Sequence, residues 1–422
     1  MKRISIIVML LAICLPVSGA FRASVVKMDI TPKTAQWLMG YGPRTSTGVH
    51  DPIFHRIVAM DDGKTQFYLI ASDLCLFSPG FYDEATERLR RDLGIERRTV
   101  WWSVTHTHSA PEVGPPGLYK ALLGRSDHEW NREYAATVTD ALVEGVKVAR
   151  AKLEPAHVGI GVGISMANIN RRAKDVDGSV SLGLNPDGPT DRQMGIIRLD
   201  RPDGSPIGVV VNYAMHGTVL GPSNLDISGD APGTVSAYLE QKIGVPVLYV
   251  NGAAGNLAPI YSVYPDAESG HLSQFRVLIG DRLLEALRSL SATSTDVTLW
   301  TGETIVETPR RAGLIWPEEL SAFSHEGQKP MMRLPIRFLK IGETIIWSAP
   351  LELFCEIGIA IRNRSPFTHT FYFGYTGGWL GYLPTKDGFE EGGYEPKTSP
   401  FTERAEQDLL ANVTTYIQGL KP

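Results

Sequence analysis

Short apolar runs rich in β-branched residues recur along the chain, and most are followed by a stretch with helical spacing of apolar positions. Runs of this length predict buried strands, while apolar residues at intervals of three and four predict amphipathic helices. The predicted strands cover residues 65–74, 100–104, 207–213, 245–250, 344–348 and 370–373. The predicted helices cover residues 83–93, 128–153 and 402–420.

This alternation predicts an α/β fold in which a mixed, largely parallel sheet is layered with helices. In such folds the active site lies at the carboxyl ends of the strands. The sequence contains no recognisable internal repeat and no low-complexity linker, so residues 21–422 are predicted to form a single domain. The Pro- and Gly-dense stretch at residues 183–190 is short enough to be an ordered loop.

The first twenty residues have the composition of an export leader, with a basic start, an apolar stretch and a small-residue cleavage site at Lys2-Arg3, 4–15 and 18–20. The apolar stretch is shorter than the roughly 20 residues that a spanning helix needs. Residues 1–20 therefore predict a signal peptide and a secreted or periplasmic protein. A membrane-tethered form is less favoured, as is a lipid anchor on Cys14, because Ile13 stands where a small residue is expected.

Charge and cysteine content narrow the class of protein further. The formal net charge is −5 and no basic cluster is present, which argues against a nucleic-acid partner. Two cysteines remain after the leader, Cys75 in a strand-like run and Cys355 in a helix-like one. They could form a disulfide in an oxidising compartment, but their positions favour two buried thiols.

Two histidines one residue apart, His106 and His108, come directly after the strand predicted at residues 100–104. Alternate residues of an extended chain point to the same side, so both imidazoles leave the strand end together. Neutral imidazole is a common ligand for zinc-class ions. A pair of hydrogen-bonded loop histidines is the alternative.

Further polar groups follow three other predicted strands: His216 after 207–213, Glu352 after 344–348, and a glycine-rich aromatic loop at 374–385 after 370–373. Alone, His216 is more often a structural histidine, and Glu352 could equally be a carboxylate that stabilises a helix N-terminus. Together they form a constellation, because strand ends on one side of a sheet converge in space.

Several motifs resemble those of one enzyme family: Thr105-His106-Thr107-His108-Ser109, Ala167-Asn168-Ile169-Asn170-Arg171, the 206–218 strand with His216, Ile227-Ser228-Gly229-Asp230, Pro350-Leu351-Glu352, and Gly381-Tyr382-Leu383-Pro384-Thr385 with Tyr394-Glu395. The pattern resembles the catalytic N-terminal domain of the neutral/alkaline non-lysosomal ceramidases. This resemblance covers most of the chain after the leader.

The resemblance implies one zinc ion, held by His106, His216, Glu352 and Tyr382. It also implies that His108, Arg171 and Tyr394 bind the substrate carbonyl and stabilise the oxyanion. The implied reaction is hydrolysis of an N-acyl bond by metal-activated water. The implied substrate is a sphingolipid or a related small-molecule or lipid amide, and contact with a membrane surface is a further expectation.

The sequence departs from the family at Ala258, which stands where the family has a serine near the metal. A methyl group cannot donate a hydrogen bond or act as a nucleophile. Two alternatives therefore stay open: the same metal site acting on a polar ester, lactone or acylated sugar, and a catalytically silent binding domain. Asp230 is a candidate for orienting a histidine. Trp316, Phe323, Trp379 and Phe389 are candidates for an apolar groove, with core packing as the alternative.

Overall fold

The computed structural model describes residues 21–125, 127–260, 271–295 and 297–420. The predicted signal peptide, residues 1–20, lies outside the described residues. Within the part of the chain that is described, no helix is long and apolar enough to cross a membrane.

The first third of the chain builds one sheet and the helices that cover it. Its elements are β1 (Arg22–Asp29), β2 (Trp37–Leu38), β3 (Arg44–Thr45), β4 (Gly48–Val49), β5 (Phe54–Asp61), β6 (Gln66–Ser72), α1 (Pro79–Leu93), β7 (Val100–Val104), α2 (Leu118–Leu123), α3 (Arg132–Ala151) and β8 (Glu154–Pro155). The hydrogen-bonded order is β7-β6-β5-β1-β8.

The second third adds a four-stranded sheet of order β15-β13-β12-β9. Its elements are β9 (His157–Ile164), β10 (Asn168–Lys174), β11 (Val180–Asn185), β12 (Gln193–Asp200), β13 (Pro206–Tyr213), β14 (Asp226–Ile227), α4 (Asp230–Ile243), β15 (Val247–Asn251), β16 (Leu257–Pro259), α5 (Leu272–Phe275) and α6 (Arg282–Ser289). A π-helical segment, Arg276–Asp281, joins α5 to α6.

The last third adds the sheet β17-β19-β20-β22. Its elements are β17 (Leu299–Pro309), β18 (Ser324–His325), β19 (Met331–Ile341), β20 (Thr344–Ser348), β21 (Glu352–Leu353), α7 (Cys355–Arg364), β22 (His369–Phe373), β23 (Tyr382–Leu383), α8 (Lys386–Glu391), α9 (Tyr394–Lys397) and α10 (Arg404–Gly419).

These three sheets share one connectivity. In each, a first strand pairs antiparallel with a second, the second turns back into an antiparallel third, and a helix then leads to a fourth strand parallel to the third. The four strands are β1, β5, β6 and β7 in the first sheet, β9, β12, β13 and β15 in the second, and β17, β19, β20 and β22 in the third. The crossover helices are α1, α4 and α7.

The prediction of a mixed α/β fold is confirmed, but the prediction of a largely parallel sheet is wrong. Only the third and fourth strands of each sheet pair in parallel among these four-strand sets, and the other two pairs are antiparallel. Short turns at 62–65, 201–205 and 342–343 join the second strand to the third. A connection this short can only reverse the chain, whereas a parallel pair needs a crossover.

The shared connectivity brings distant parts of the chain to one edge. The first, third and fourth strands run in the same direction, so their carboxyl ends lie together. Isolated bridges there join Thr107 to Gly217 and Ser103 to Thr376, which links the three sheets. The insertions between first and second strands, at 30–53, 165–192 and 310–330, leave from the same edge.

Cys75 and Cys355 are both free and buried, as the sequence predicted. Residues 183–190 are not simply a loop, because β11 includes the first part of that stretch.

Candidate metal centre

Three predicted ligands lie just beyond strand ends at this common edge. His106 follows β7 and adopts the left-handed conformation, with φ of 64°. His216 follows β13, and its backbone N–H donates to the carbonyl of Leu257 at 3.2 Å. Glu352 opens the short strand β21 after β20. Each ligand therefore comes from a different sheet.

The reactive atoms of these side chains converge. Nε2 of His106 lies 3.3 Å from Oε2 of Glu352, and Nε2 of His216 lies 3.1 Å from the same oxygen. All three side chains are at most 1% exposed. The structure thus brings together two imidazoles and one carboxylate that could hold a metal ion.

The hydrogen bonds of the two imidazoles fix which nitrogen faces the carboxylate with a lone pair. Nδ1 of His106 lies 3.0 Å from the carbonyl of Cys75, and Nδ1 of His216 lies 2.9 Å from that of Leu257. A carbonyl oxygen only accepts, so the proton is on Nδ1 and each Nε2 presents a lone pair. Burial lowers the pKa of His216 to about 3, which keeps its ring neutral.

Lone pairs facing a carboxylate oxygen across 3.1–3.3 Å form an acceptor-only cluster. Within the described chain, Nε2 of His216 and Oε2 of Glu352 have no hydrogen-bond partner. A cation coordinated by Nε2 of His106, Nε2 of His216 and Oε2 of Glu352 satisfies all three groups. Two imidazoles and one carboxylate are ordinary ligands for zinc.

Tyr382 is placed beside this cluster by the parallel pairing of β21 with β23, which sets it opposite Glu352. Its hydroxyl accepts a hydrogen bond from Nη2 of Arg171 at 3.1 Å. Burial, reinforced by the charge of Glu352, raises its pKa well above the ordinary value. A nearby cation acts in the opposite direction and lowers the cost of deprotonating the phenol.

His108 lies next to the three donors, with its Nε2 3.2 Å from Nε2 of His106. Burial, reinforced by the two neighbouring histidines, lowers its pKa well below the usual value, so the ring is neutral. The ring of Tyr41 packs edge-on against it at 4.8 Å, and Nδ1 has no hydrogen-bond partner among the described residues. The side chain faces the adjoining cavity.

That cavity has a volume of about 570 Å³ and combines polar and apolar walls. The polar wall includes His108, Arg171 and four tyrosines, Tyr41, Tyr119, Tyr382 and Tyr394. The apolar wall includes Leu122, Leu123, Leu182, Pro222 and Ala258. The cavity is large enough for a drug-sized ligand, and no acidic side chain of the described residues lines it.

Arg171 pairs with a buried carboxylate rather than with one at the surface. Its Nε donates to Glu395 at 2.9 Å, and Glu395 also accepts from Arg172 at 2.8 Å. Glu395 is 1% exposed, so this ion pair fixes the Arg171 guanidinium beside Tyr382. Tyr394 lines the cavity, and burial raises its pKa to about 12.

Sequence reasoning named Glu395 only as part of the Tyr394-Glu395 motif and gave it no role. An acidic residue next to a predicted site tyrosine was the available signal. Only the fold shows that two arginines from β10 reach it.

Two candidate roles of supporting residues are not observed, and for the four aromatic residues the alternative of core packing holds. Asp230 does not orient a histidine, because its oxygens accept from the backbone N–H groups of Val219 and Leu220, both at 3.0 Å. It therefore fixes the loop that follows His216. The aromatic residues Trp316, Phe323, Trp379 and Phe389 do not line the cavity.

Comparison with known proteins shows the family of this chain. The family described as "Neutral/alkaline non-lysosomal ceramidase, N-terminal" matches residues 21–254, more than half of the chain. The chain belongs to this family. The resemblance predicted from the motifs is thereby confirmed.

Three relatives illustrate the extent of the similarity. A neutral ceramidase of Pseudomonas aeruginosa is 22% identical over 98% of this chain and 75% of its own. A neutral ceramidase of Mycobacterium tuberculosis is 30% identical over 51% of this chain and 35% of its own. The crystal structure of the neutral ceramidase from Pseudomonas aeruginosa superposes with a TM-score of 0.75 at 19% identity, over 96% of this chain and 75% of that one. At such identity the superposition shows a shared fold.

Proposed function

We propose that this protein is a zinc-dependent amidohydrolase that cleaves the N-acyl bond of a lipid amide. The observation that carries the proposal is the convergence of His106, His216 and Glu352 on one point, where Nε2 of His216 and Oε2 of Glu352 have no hydrogen-bond partner among the described residues. Its position beside a cavity lined by fixed hydrogen-bond donors adds support. Membership of the ceramidase family supports the choice of substrate class.

The residues that would hold the ion are His106, His216, Glu352 and Tyr382. A bound zinc ion supplies Lewis-acid polarisation and lowers the pKa of water from about 15.7 to about 7. The chain supplies the rest. Arg171, held by Glu395, and Tyr394 donate hydrogen bonds into the cavity toward the charge that develops on a carbonyl oxygen.

His108 suits the transfer of a proton between the cavity and the leaving nitrogen. It is neutral because burial lowers its pKa, and it lies against the cavity with Nδ1 free of any partner among the described residues. A neutral imidazole can accept a proton and pass it to the departing amine.

The apolar wall formed by Leu122, Leu123 and Leu182 suits an acyl chain, and the tyrosine hydroxyls suit the polar part of an amide. Ala258 favours a second candidate, a polar ester or acylated sugar at the same centre. It removes a hydroxyl from the wall at the position where the family has a serine, so a substrate that needs that group would react poorly.

The test is an assay of purified protein with its metal content measured. Zinc removed by a chelator and then restored should abolish and restore the release of fatty acid from a fluorescent ceramide, with magnesium as the control ion. Parallel assays with short acyl amides, acyl sugars and esters separate the two candidates. Absence of zinc binding together with absence of hydrolysis would favour a binding domain and reject the proposal.

Export remains a prediction that rests on residues 1–20. The start of the secreted polypeptide, read by N-terminal sequencing, should be near Phe21.

A further inference from the structure

One loop contacts His106 and Glu352, two of the three predicted metal ligands that converge. It runs from Gly374 to Gly381, between β22 and β23. The ring of Tyr375 stacks on the imidazole of His106, with ring centroids 4.3 Å apart and an interplanar angle of 25°. Nε1 of Trp379 donates to Oε1 of Glu352 at 2.9 Å. Tyr375 and Trp379 are 0% and 2% exposed, so both contacts are shielded from water.

Hydrogen bonds anchor the loop to the segments that precede His106 and Glu352. The backbone N–H of Gly377 donates to the carbonyl of Trp102 at 2.8 Å, and the hydroxyls of Thr376 and Ser103 lie 2.6 Å apart. The N–H of Leu380 donates to the carbonyl of Pro350 at 2.7 Å. The loop thus connects β7, which precedes His106, to the segment that precedes Glu352.

Tyr375 occupies its place at an energetic cost. Its φ is 54°, in the left-handed region that residues other than glycine rarely adopt. Its hydroxyl has no hydrogen-bond partner among the described residues, although the side chain is fully buried. His106 and Tyr375 each stand two positions after the fourth strand of their sheet, and both have positive φ. A costly backbone that brings the two rings face to face indicates a role for the stack.

We propose that Tyr375 and Trp379 are positioning residues that fix the His106 ring and the Glu352 carboxylate for the metal ion. The indole N–H occupies Oε1 of Glu352, which leaves Oε2 to face the imidazoles. The stack and the Cys75 carbonyl together fix the plane of the His106 ring. The inference rests on the proposed function, because it concerns the same metal site.

The experiment measures zinc affinity, independently of activity, by competition with a chromogenic chelator. Trp379→Phe removes the donor and keeps a ring, and Tyr375→Leu removes the stack. Each is expected to weaken zinc binding roughly 10- to 100-fold, the range usual for groups that orient metal ligands. Tyr375→Phe keeps the stack and should bind zinc like the wild type.

Trp101→Phe is the matched control, because Trp101 is a buried indole on β7 whose Nε1 has no partner among the described residues. It should leave zinc affinity unchanged. Wild-type affinity in Trp379→Phe and Tyr375→Leu would overturn the inference, and so would equal weakening in all four variants.

Circular dichroism and thermal unfolding of each zinc-free variant check that it folds. Should Trp379→Phe fail to fold, the comparison of Tyr375→Phe with Tyr375→Leu carries the test, since only the second loses the stack. A wild-type protein that binds no zinc would instead reject the proposed function.

Discussion

Two buried acids stand just beyond third strands of this fold, and their surroundings differ in one respect. Asp73 follows β6, and Arg56 donates to its Oδ2 at 2.8 Å. Glu352 follows β20, and its Oε2 faces two neutral imidazoles. The chain supplies the cation for Asp73, whereas Oε2 of Glu352 faces only further acceptors.

The difference separates a structural ion pair from a ligand site. Arg56 also donates to Glu240 at 2.6 Å, so the chain itself supplies one positive charge that two acids share. At the cluster of His106, His216 and Glu352, Nε2 of His216 and Oε2 of Glu352 gain a partner only when a cation is added. In this molecule the acid that faces acceptors belongs to the candidate metal site, and the acid paired with an arginine belongs to a structural ion pair.

The largest expected effect is on zinc binding and hydrolysis, and it comes from substitution in the cluster of His106, His216 and Glu352. His216→Ala should remove zinc and reduce hydrolysis below detection, because one of three converging donors is lost. Metal analysis of the purified variant, alongside the fluorescent ceramide assay, measures both. His325→Ala, at an exposed histidine, is the control. Stoichiometric zinc in His216→Ala would contradict the assignment.

Substitution in the ion-pair network of Arg56, Asp73 and Glu240 should lower stability and leave zinc binding unchanged. Arg56→Met leaves Asp73 and Glu240 without their shared cation, and is expected to lower the free energy of unfolding by about 3–5 kcal/mol. Zinc content per folded molecule should not change. Denaturant unfolding measures the first quantity and metal analysis the second. Arg88→Met, at an exposed pair, should cost less than about 1 kcal/mol.

Arg171 combines features of the ion-pair network and of the candidate metal site, because it is paired with Glu395 and also faces the cavity. Arg171→Gln should lower kcat by roughly 100- to 1000-fold while zinc is retained, since one fixed donor toward the oxyanion is lost. The matched control is Arg172→Gln, which loses the same partner, Glu395, but does not line the cavity. A similar loss of rate in both variants would show that Arg171 acts only through packing.

A buried histidine whose two nitrogens both have partners provides a contrast with His216. Nδ1 of His55 lies 2.6 Å from the Ser72 hydroxyl and Nε2 lies 2.9 Å from the Val138 carbonyl. Burial lowers its pKa from 6.5 to about 4, so the unfolded state takes up the proton first as the pH falls. Its contribution to stability is complete above pH 6.5 and declines toward pH 4.

The loss over that interval should be about 3 kcal/mol from His55 alone. Denaturant unfolding of the zinc-free protein between pH 6.5 and pH 4 measures it, and His55→Gln should show a shallower decline. An identical decline in the variant would assign the pH dependence to other groups.

Ala258→Ser should have the smallest effect. The side chain is 3% exposed on β16, and it contributes no ligand atom, so zinc affinity should stay as in the wild type. We expect a rise in the rate of ceramide cleavage, measured with the fluorescent substrate. An unchanged rate would indicate that the substrate of this protein does not use a hydroxyl there.

The sequence predicted one part of the fold closely. The strands at 100–104 and 344–348 have the predicted bounds, and the six predicted strands are the third and fourth strands of the three sheets. These strands are buried on both faces, so their sequences are continuous apolar runs. The first strands are half-exposed and the second strands carry buried charges such as Arg56 and Arg337, which interrupt the pattern.

The sequence by itself therefore determined the chemistry at the strand ends: which residues carry imidazole, carboxylate and phenol groups, and that they follow buried strands. The motifs also implied that His106, His216, Glu352 and Tyr382 meet, and tertiary structure alone decided what surrounds them. It paired the first three strands of each sheet antiparallel, placed Asp230 on backbone amides rather than on a histidine, and set Tyr375 and Trp379 against His106 and Glu352. The physical reason is that an apolar pattern specifies burial, whereas partners are set by turn length and by contacts between residues far apart in the chain.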